Sequence, residues 1–175
     1  MGRVMAEDAF EAVVGAYHAE IRRYLLRITA RGSDADDLSQ ETFLRAFRAY
    51  RALPPGSNVR AWLFTIATNL GRNHFRAQGR RRRAYAAAAM EMRPDAPERA
   101  DGRVLADEAR DRLERAVGQL PGKQRLAFIM RKMHELEYAE IGASLSCSEE
   151  SARAHVFQAL QIGRASCRER VCQYV

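Results

Sequence analysis

The stretch Val59-Arg-Ala-Trp-Leu-Phe-Thr-Ile-Ala-Thr-Asn69, continued by Leu-Gly-Arg-Asn-His-Phe-Arg76, decides the fold class. Val59, Trp62, Leu63, Ile66 and Leu70 recur at i, i+3, i+4, i+7 and i+11, a spacing that lines one face of an α-helix with apolar side chains. A second stripe beside it carries Thr65, Asn69, Arg72, Asn73, Arg76 and Arg80, with Trp62 on the border at about 100° per residue. One helix therefore has a packing face and an adjoining polar, basic face. Pro54-Pro55-Gly56 breaks the chain ahead of it, and Ser57 or Asn58 caps its start. Trp62 reads either as a core residue or as a platform for a base. Arginine holding phosphates next to an aromatic that stacks bases is the mixture that suits single-stranded nucleic acid.

Charge sharpens that reading. The chain of 175 residues carries a net charge of +7. Residues 1–84 hold fifteen basic against eight acidic side chains, whereas residues 112–163 hold seven against six. The excess peaks between Arg72 and Arg83, where six arginines occur without one acid. A solvated face is the bland reading; a surface that displaces counterions from a polyanion is the sharper one. With 47% hydrophobic and 29% charged residues a folded protein is expected, and no apolar run is long enough to span a membrane. The acidic N-terminus lacks an apolar signal region, and Cys147, Cys167 and Cys172 have no Cys-x-x-Cys spacing. A cytoplasmic protein without a disulfide framework is expected.

Outward from the central helix, periodicity predicts helices throughout. Phe10, Val13, Val14, Tyr17, Ile21, Tyr24, Leu25 and Ile28 place a first helix over about 8–30, stopped by Gly32. Ser33 with Asp36 resembles a capping box opening a second helix, in which Phe43, Ala46, Phe47 and Tyr50 form the buried stripe. On its other face Asp37, Glu41, Leu44 and Arg48 share one side: an ordinary exposed leucine, or an anchor ringed by charge. After Ala84 the pattern fades into an acidic, Pro-containing linker around Arg93-Pro94-Asp95-Ala96-Pro97. A second helical module follows: a stripe of Leu113, Ala116, Val117 and Leu120, then one of Leu126, Ile129, Met130 and Met133. A short helix over about Tyr138 to Leu145, the connection Ser146-Cys147-Ser148, and a last helix from Glu149 to about Gln161 have the shape of a helix-turn-helix. Ser148 is its natural cap.

Enzyme chemistry finds no purchase. The four histidines lie on separate segments, no glycine loop cradles phosphate, and Asp34, Asp36 and Asp37 read as acids at a helix start rather than a metal site. No catalytic residue, metal ligand or cofactor site is assigned.

Together these residues resemble the extracytoplasmic-function family of bacterial RNA polymerase sigma factors. Asp34-Ala-Asp-Asp-Leu-Ser-Gln-Glu-Thr-Phe43 is similar to the family's polymerase-binding segment, and Val59 to Asn69 to its promoter-melting helix. Leu120-Pro121 with Gln124-Arg125, Tyr138-Ala-Glu-Ile141 and Ser148-Glu-Glu-Ser151 are similar to its second domain. The resemblance implies an all-α, two-domain initiation factor without enzymatic activity: residues 8–83 as region two, 84–104 as linker and 105–162 as region four. Its partners would be core RNA polymerase, promoter DNA and an anti-sigma factor. It places polymerase contact on Asp37, Gln40, Glu41, Leu44 and Arg48. Minus-ten contact falls on Asn58, Arg60, Trp62, Asn69, Arg72, Asn73, Arg76 and Arg80. Minus-thirty-five contact falls on Ser151, Arg153, Ala154, His155, Phe157 and Gln158. The chain departs from the family in carrying Asn73 where Asp is usual and in having a less basic recognition helix. Gly163-Arg-Ala-Ser-Cys-Arg-Glu-Arg-Val171 looks like foreign sequence, so residues 163–175 are set aside as a tail. The competing expectation is a one-component helix-turn-helix regulator that binds duplex DNA without polymerase; it leaves the acidic segment and the Trp62 helix unexplained.

Overall fold

The computed structural model describes the backbone of residues 2–88, 117 and 120–171, and the side chains of residues 9–80, 117 and 120–161. The regular elements among them are helices: α1 (Gly2–Thr29), α2 (Gly32–Tyr50), α3 (Val59–Ala88), α4 (Gly122–Met133), α5 (Tyr138–Leu145) and α6 (Glu149–Val171). α1, α2 and α3 pack together as a first unit; α4, α5 and α6 form the second.

The helix ends follow local chemistry, with two corrections. α1 is stopped not by Gly32 but by Ala30, which follows its last residue Thr29 in the left-handed conformation at φ 58° and leaves Gly32 as the first residue of α2. The expected Ser33–Asp36 capping box is absent: Arg31 occupies the cap position without a side-chain bond, and Asp36 is drawn instead to Arg22 of α1 at 2.5 Å. Asn58 does cap α3, its Oδ1 accepting from the Ala61 amide at 3.0 Å. Ser148 caps α6 through the Ser151 amide at 3.2 Å. α5 carries a reciprocal box between Glu137 and Glu140.

Two helices run on past their expected ends. α3 continues to Ala88, through the first residues of the expected linker, because Tyr85-Ala86-Ala87-Ala88 contains no helix breaker. α6 continues to Val171, through Gly163. A lone glycine costs a helix only about 1 kcal/mol relative to alanine. The linker from residue 89 on, and most of the stripe around Leu113 and Ala116, lie outside the described residues; Val117 and Leu120 are buried.

The core is continuous across the two units. Ile21, Tyr24, Leu25, Ile28, Leu63 and Phe64 of the first unit cluster with Met130, Leu136, Ile141 and Leu145 of the second. α3 supplies the seam. Leu63 and Leu70 of the expected stripe are buried, but so are Phe64, Ala67 and Thr68, while Val59, Trp62 and Ile66 are only half-buried. The buried face is thus rotated toward Tyr24 and Ile28 of α1 and Met130 of α4. At the other end Gly71 admits α1 closely: a Cβ there would stand 2.7 Å from Ile28 Cδ1.

Candidate functional site

The rotation of α3 decides what it offers to solvent. Asn69, Asn73, Arg76 and Arg80 are exposed, and at about 100° per residue they form one column with Trp62 at its head. Trp62 is half-buried and packs against the core. Arg72 lies half-buried at the column's edge.

Three other polar residues of α3 and its cap are engaged by the second unit. Asn58 Nδ2 donates to Glu140 Oε1 at 2.5 Å, and Thr65 meets Ser144 at 3.1 Å, both partners belonging to α5. Arg60 binds Glu20 of α1 through Nε at 3.0 Å and Nη2 at 2.5 Å, and Nη2 also donates to the His134 carbonyl. His134 completes the knot with Nδ1 3.2 Å from Glu20 and its ring against Tyr24 and Phe64. The Arg60 hydrogen bonds hold the Glu20 carboxyl below its ordinary value. Burial depresses the His134 imidazole. Beside this knot, Arg125 of α4 donates to the carbonyls of Arg27 at 2.9 Å and Ile28 at 3.1 Å, satisfying the open end of α1.

On α2 the acidic segment lies beside a groove. Leu44 is 45% exposed, and so is Phe47, at 48%, although periodicity placed Phe47 in the core. Phe47 escapes because Phe10 closes the core beneath it, its ring edge-on to Phe47 at 5.4 Å and to Tyr50 at 5.2 Å. A groove of about 500 Å³ opens between α1 and α2 over Phe10, Val14, Phe43, Leu44 and Phe47, with the Ser39 hydroxyl buried at its floor without a partner. Gln40 lines it as well; Asp37 and Arg48 are exposed and Glu41 binds Arg45 at 2.6 Å. Leu44 therefore stands between a charged strip and an apolar groove. Sequence periodicity missed Phe47, although its spacing of three from Leu44 was the available signal.

In the second unit α5 and α6 meet at a tight turn. Ser146 is left-handed at φ 53°, and the Cys147 amide closes on the Gly142 carbonyl at 2.9 Å. A Cβ on Gly142 would sit 2.8 Å from the Cys147 carbonyl oxygen, so only glycine lets the second helix approach. α6 buries Ala152, Val156 and Ala159 and exposes Arg153, Ala154, Phe157 and Gln158, with Ser151 and His155 half-buried.

A groove-bearing acidic helix, an arginine column headed by an indole, and a helix-turn-helix now stand in that order along one chain. Residues 13–81 match the family described as Sigma-70 region 2, and residues 110–162 match Sigma-70, region 4. The extracytoplasmic-function RNA polymerase sigma-E factor of Salmonella typhimurium is 29% identical over 160 residues, covering 87% of this chain and 83% of that protein. The chain belongs to the extracytoplasmic-function sigma factors. The RNA polymerase sigma-H factor of Pseudomonas aeruginosa is likewise 29% identical over 161 residues, covering 86% of this chain and 82% of the relative. As a sigma factor the protein binds polymerase and confers promoter specificity. The fold agrees with two solved structures. One is the sigma factor RpoE of Bartonella quintana in complex with the anti-sigma factor NepR, with a TM-score of 0.71, 22% identity, and 91% of this chain and 97% of that one covered. The other is CnrH in complex with the cytosolic domain of CnrY, with a TM-score of 0.69, 21% identity, and 93% and 90% covered. No described helix of this sigma factor is long and apolar enough to cross a membrane.

Proposed function

We propose that this sigma factor divides its work among three surfaces. Asp37, Gln40, Glu41, Leu44 and Arg48, together with Phe47 and the groove beside them, dock on core RNA polymerase. The α3 column of Trp62, Asn69, Asn73, Arg76 and Arg80, flanked by Arg72, holds the opened minus-ten strand. α6 enters the major groove of the minus-thirty-five element with Ser151, Arg153, Ala154, His155, Phe157 and Gln158. None of these surfaces is given a catalytic step, and the protein acts in the cytoplasm, where polymerase meets the chromosome. The anti-sigma complexes of its structural relatives support an anti-sigma factor as the controlling partner.

The observation that carries the reading is the column on α3. A half-buried indole followed by exposed asparagines and arginines on one line of a helix matches what an unstacked strand offers: base faces to stack on and phosphates to neutralise. Asn58 and Arg60 reach DNA only when the second unit moves off α3, since both are bound into the junction here.

The test is reconstitution with core polymerase on a promoter library, read by permanganate reactivity of opened thymines. The expected result is promoter-specific opening that Arg76→Ala and Trp62→Ala weaken. For Trp62→Ala, thermal melting shows how much of the effect is core damage. A complex that binds and opens promoters equally well with Arg72, Arg76 and Arg80 all changed to alanine overturns the assignment of α3.

A further inference from the structure

The face that α6 turns outward is unusual in its division of labour. Three of its polar side chains are engaged within the protein, while the half-buried His155 keeps Nδ1 without a partner. Arg153 binds Glu149 at 3.1 Å and lies over the Tyr138 ring at 5.1 Å. Gln158 accepts from Gln124 Nε2 at 2.9 Å, and Ser151 is bonded to Ser148 at 2.9 Å. Phe157 by contrast is 60% exposed, more than any other large hydrophobic residue among those described. It stands one turn beyond the exposed Ala154 on the same face, eight residues into the helix that follows the tight turn.

An exposed ring on that helix has a specific counterpart in duplex DNA. The major groove edges of the bases are hydrogen-bonding groups with one apolar exception, the C5-methyl of thymine, which alanine and phenylalanine side chains contact. Resting on the reading of α6 as the minus-thirty-five helix, we infer that Phe157, with Ala154 beside it, selects thymine in the upstream element through that methyl group. Apolar readout also answers the shortage of positive charge in residues 112–163, where seven basic side chains face six acidic ones. Such a face draws little affinity from phosphates and must discriminate by contact with base edges.

The experiment uses the full chain bound to core polymerase and a duplex promoter selected from a random library. Each thymine of the upstream element is replaced singly by deoxyuridine, which deletes only the methyl group. Affinity should fall about three- to fivefold at one position, or at two adjacent ones, the size set by burying one methyl. Phe157→Ala should bind the thymine and uracil duplexes equally, with an unchanged melting temperature because the ring is exposed. Upstream selection that persists with no uracil-sensitive position, or sensitivity that survives in Phe157→Ala, overturns the inference and leaves the helix assignment standing. Weakened polymerase binding by Phe157→Ala without any uracil effect makes the ring a protein contact and overturns it equally. Failure of the helix assignment itself has a separate signature: no upstream sequence is selected, and Arg153→Ala and Gln158→Ala change nothing.

Discussion

Leu44 and Phe47 show how much one residue's setting matters. Both are large, apolar and about half exposed, and both line the groove beside the charged strip of α2. An apolar anchor that fills a desolvated pocket of a partner contributes far more to binding than the rim around it. Leu44→Asp should therefore cost about 2–4 kcal/mol of affinity for core polymerase, and Phe47→Ala a similar amount. Melting of the free protein should move little, as is usual for exposed positions. Fluorescence titration with core polymerase beside a thermal melt checks both halves, and undiminished binding by both variants would remove α2 from the interface. The turn between α5 and α6 supplies a second pair, of opposite sign. Gly142→Ala drives a Cβ to 2.8 Å from the Cys147 carbonyl oxygen and should destabilise by about 1–3 kcal/mol. Ser146→Gly relieves a left-handed conformation that costs an L-residue about 1–2 kcal/mol. Greater freedom of glycine in the unfolded chain takes part of that back, so a small net gain in chemical denaturation is expected.

At the level of the element, α3 serves two masters along its length. Its cap and first three turns carry Asn58, Arg60, Phe64, Thr65 and Thr68 into the junction with α5 and the end of α4, while its later turns carry the arginines into solvent. Arginines of one helix should thus behave differently. Arg72→Ala and Arg76→Ala should each lower the salt slope of promoter binding by about 0.7–0.9, the decrement expected when the protein neutralises one phosphate fewer. Arg60→Ala should leave that slope nearly untouched in the closed arrangement. It should instead cost about 1–3 kcal/mol of stability, since it strips Glu20 and the His134 carbonyl of a charged donor. Binding measured across a salt series, with denaturation of each variant, separates the two classes; a slope change for Arg60→Ala as large as for Arg76→Ala would contradict the division.

Across the whole molecule, the junction links the two units to pH. His134 faces Glu20 and Arg27 of α1 and Arg60 of α3, and burial holds the pKa of its imidazole below the ordinary value of 6.5. The unfolded chain takes up that proton near 6.5 while the folded one resists it, so stability falls as pH drops through that range. Glu20, held below its ordinary 4.5 by Arg60, acts in the same direction: its contribution is complete above 4.5 and is lost on further acidification. Melting temperature should decline from pH 8 to pH 5.5, and His134→Phe should flatten that decline. A full slope in the variant would assign the effect to other groups. Much of this molecule was legible without coordinates. Apolar recurrence at three and four residues placed the six described helices, and the choice of Ser57 or Asn58 and the choice of Ser148 announced two of their caps, because helix formation and capping depend on residues within one turn of each other. The order of acidic segment, Trp62 helix and helix-turn-helix was enough to name the family. What only the tertiary structure decided was which side of each helix is covered. Phe47 lies open because Phe10 from α1 fills the space beneath it, and Phe64 and Thr68 are buried because Tyr24 of α1, Met130 of α4 and His134 pack over a face that periodicity within α3 cannot assign. A helix's own sequence records how its apolar residues recur, but burial depends on the partner, and residues that cover α3 stand 44, 62, 74 and 79 positions away in the chain.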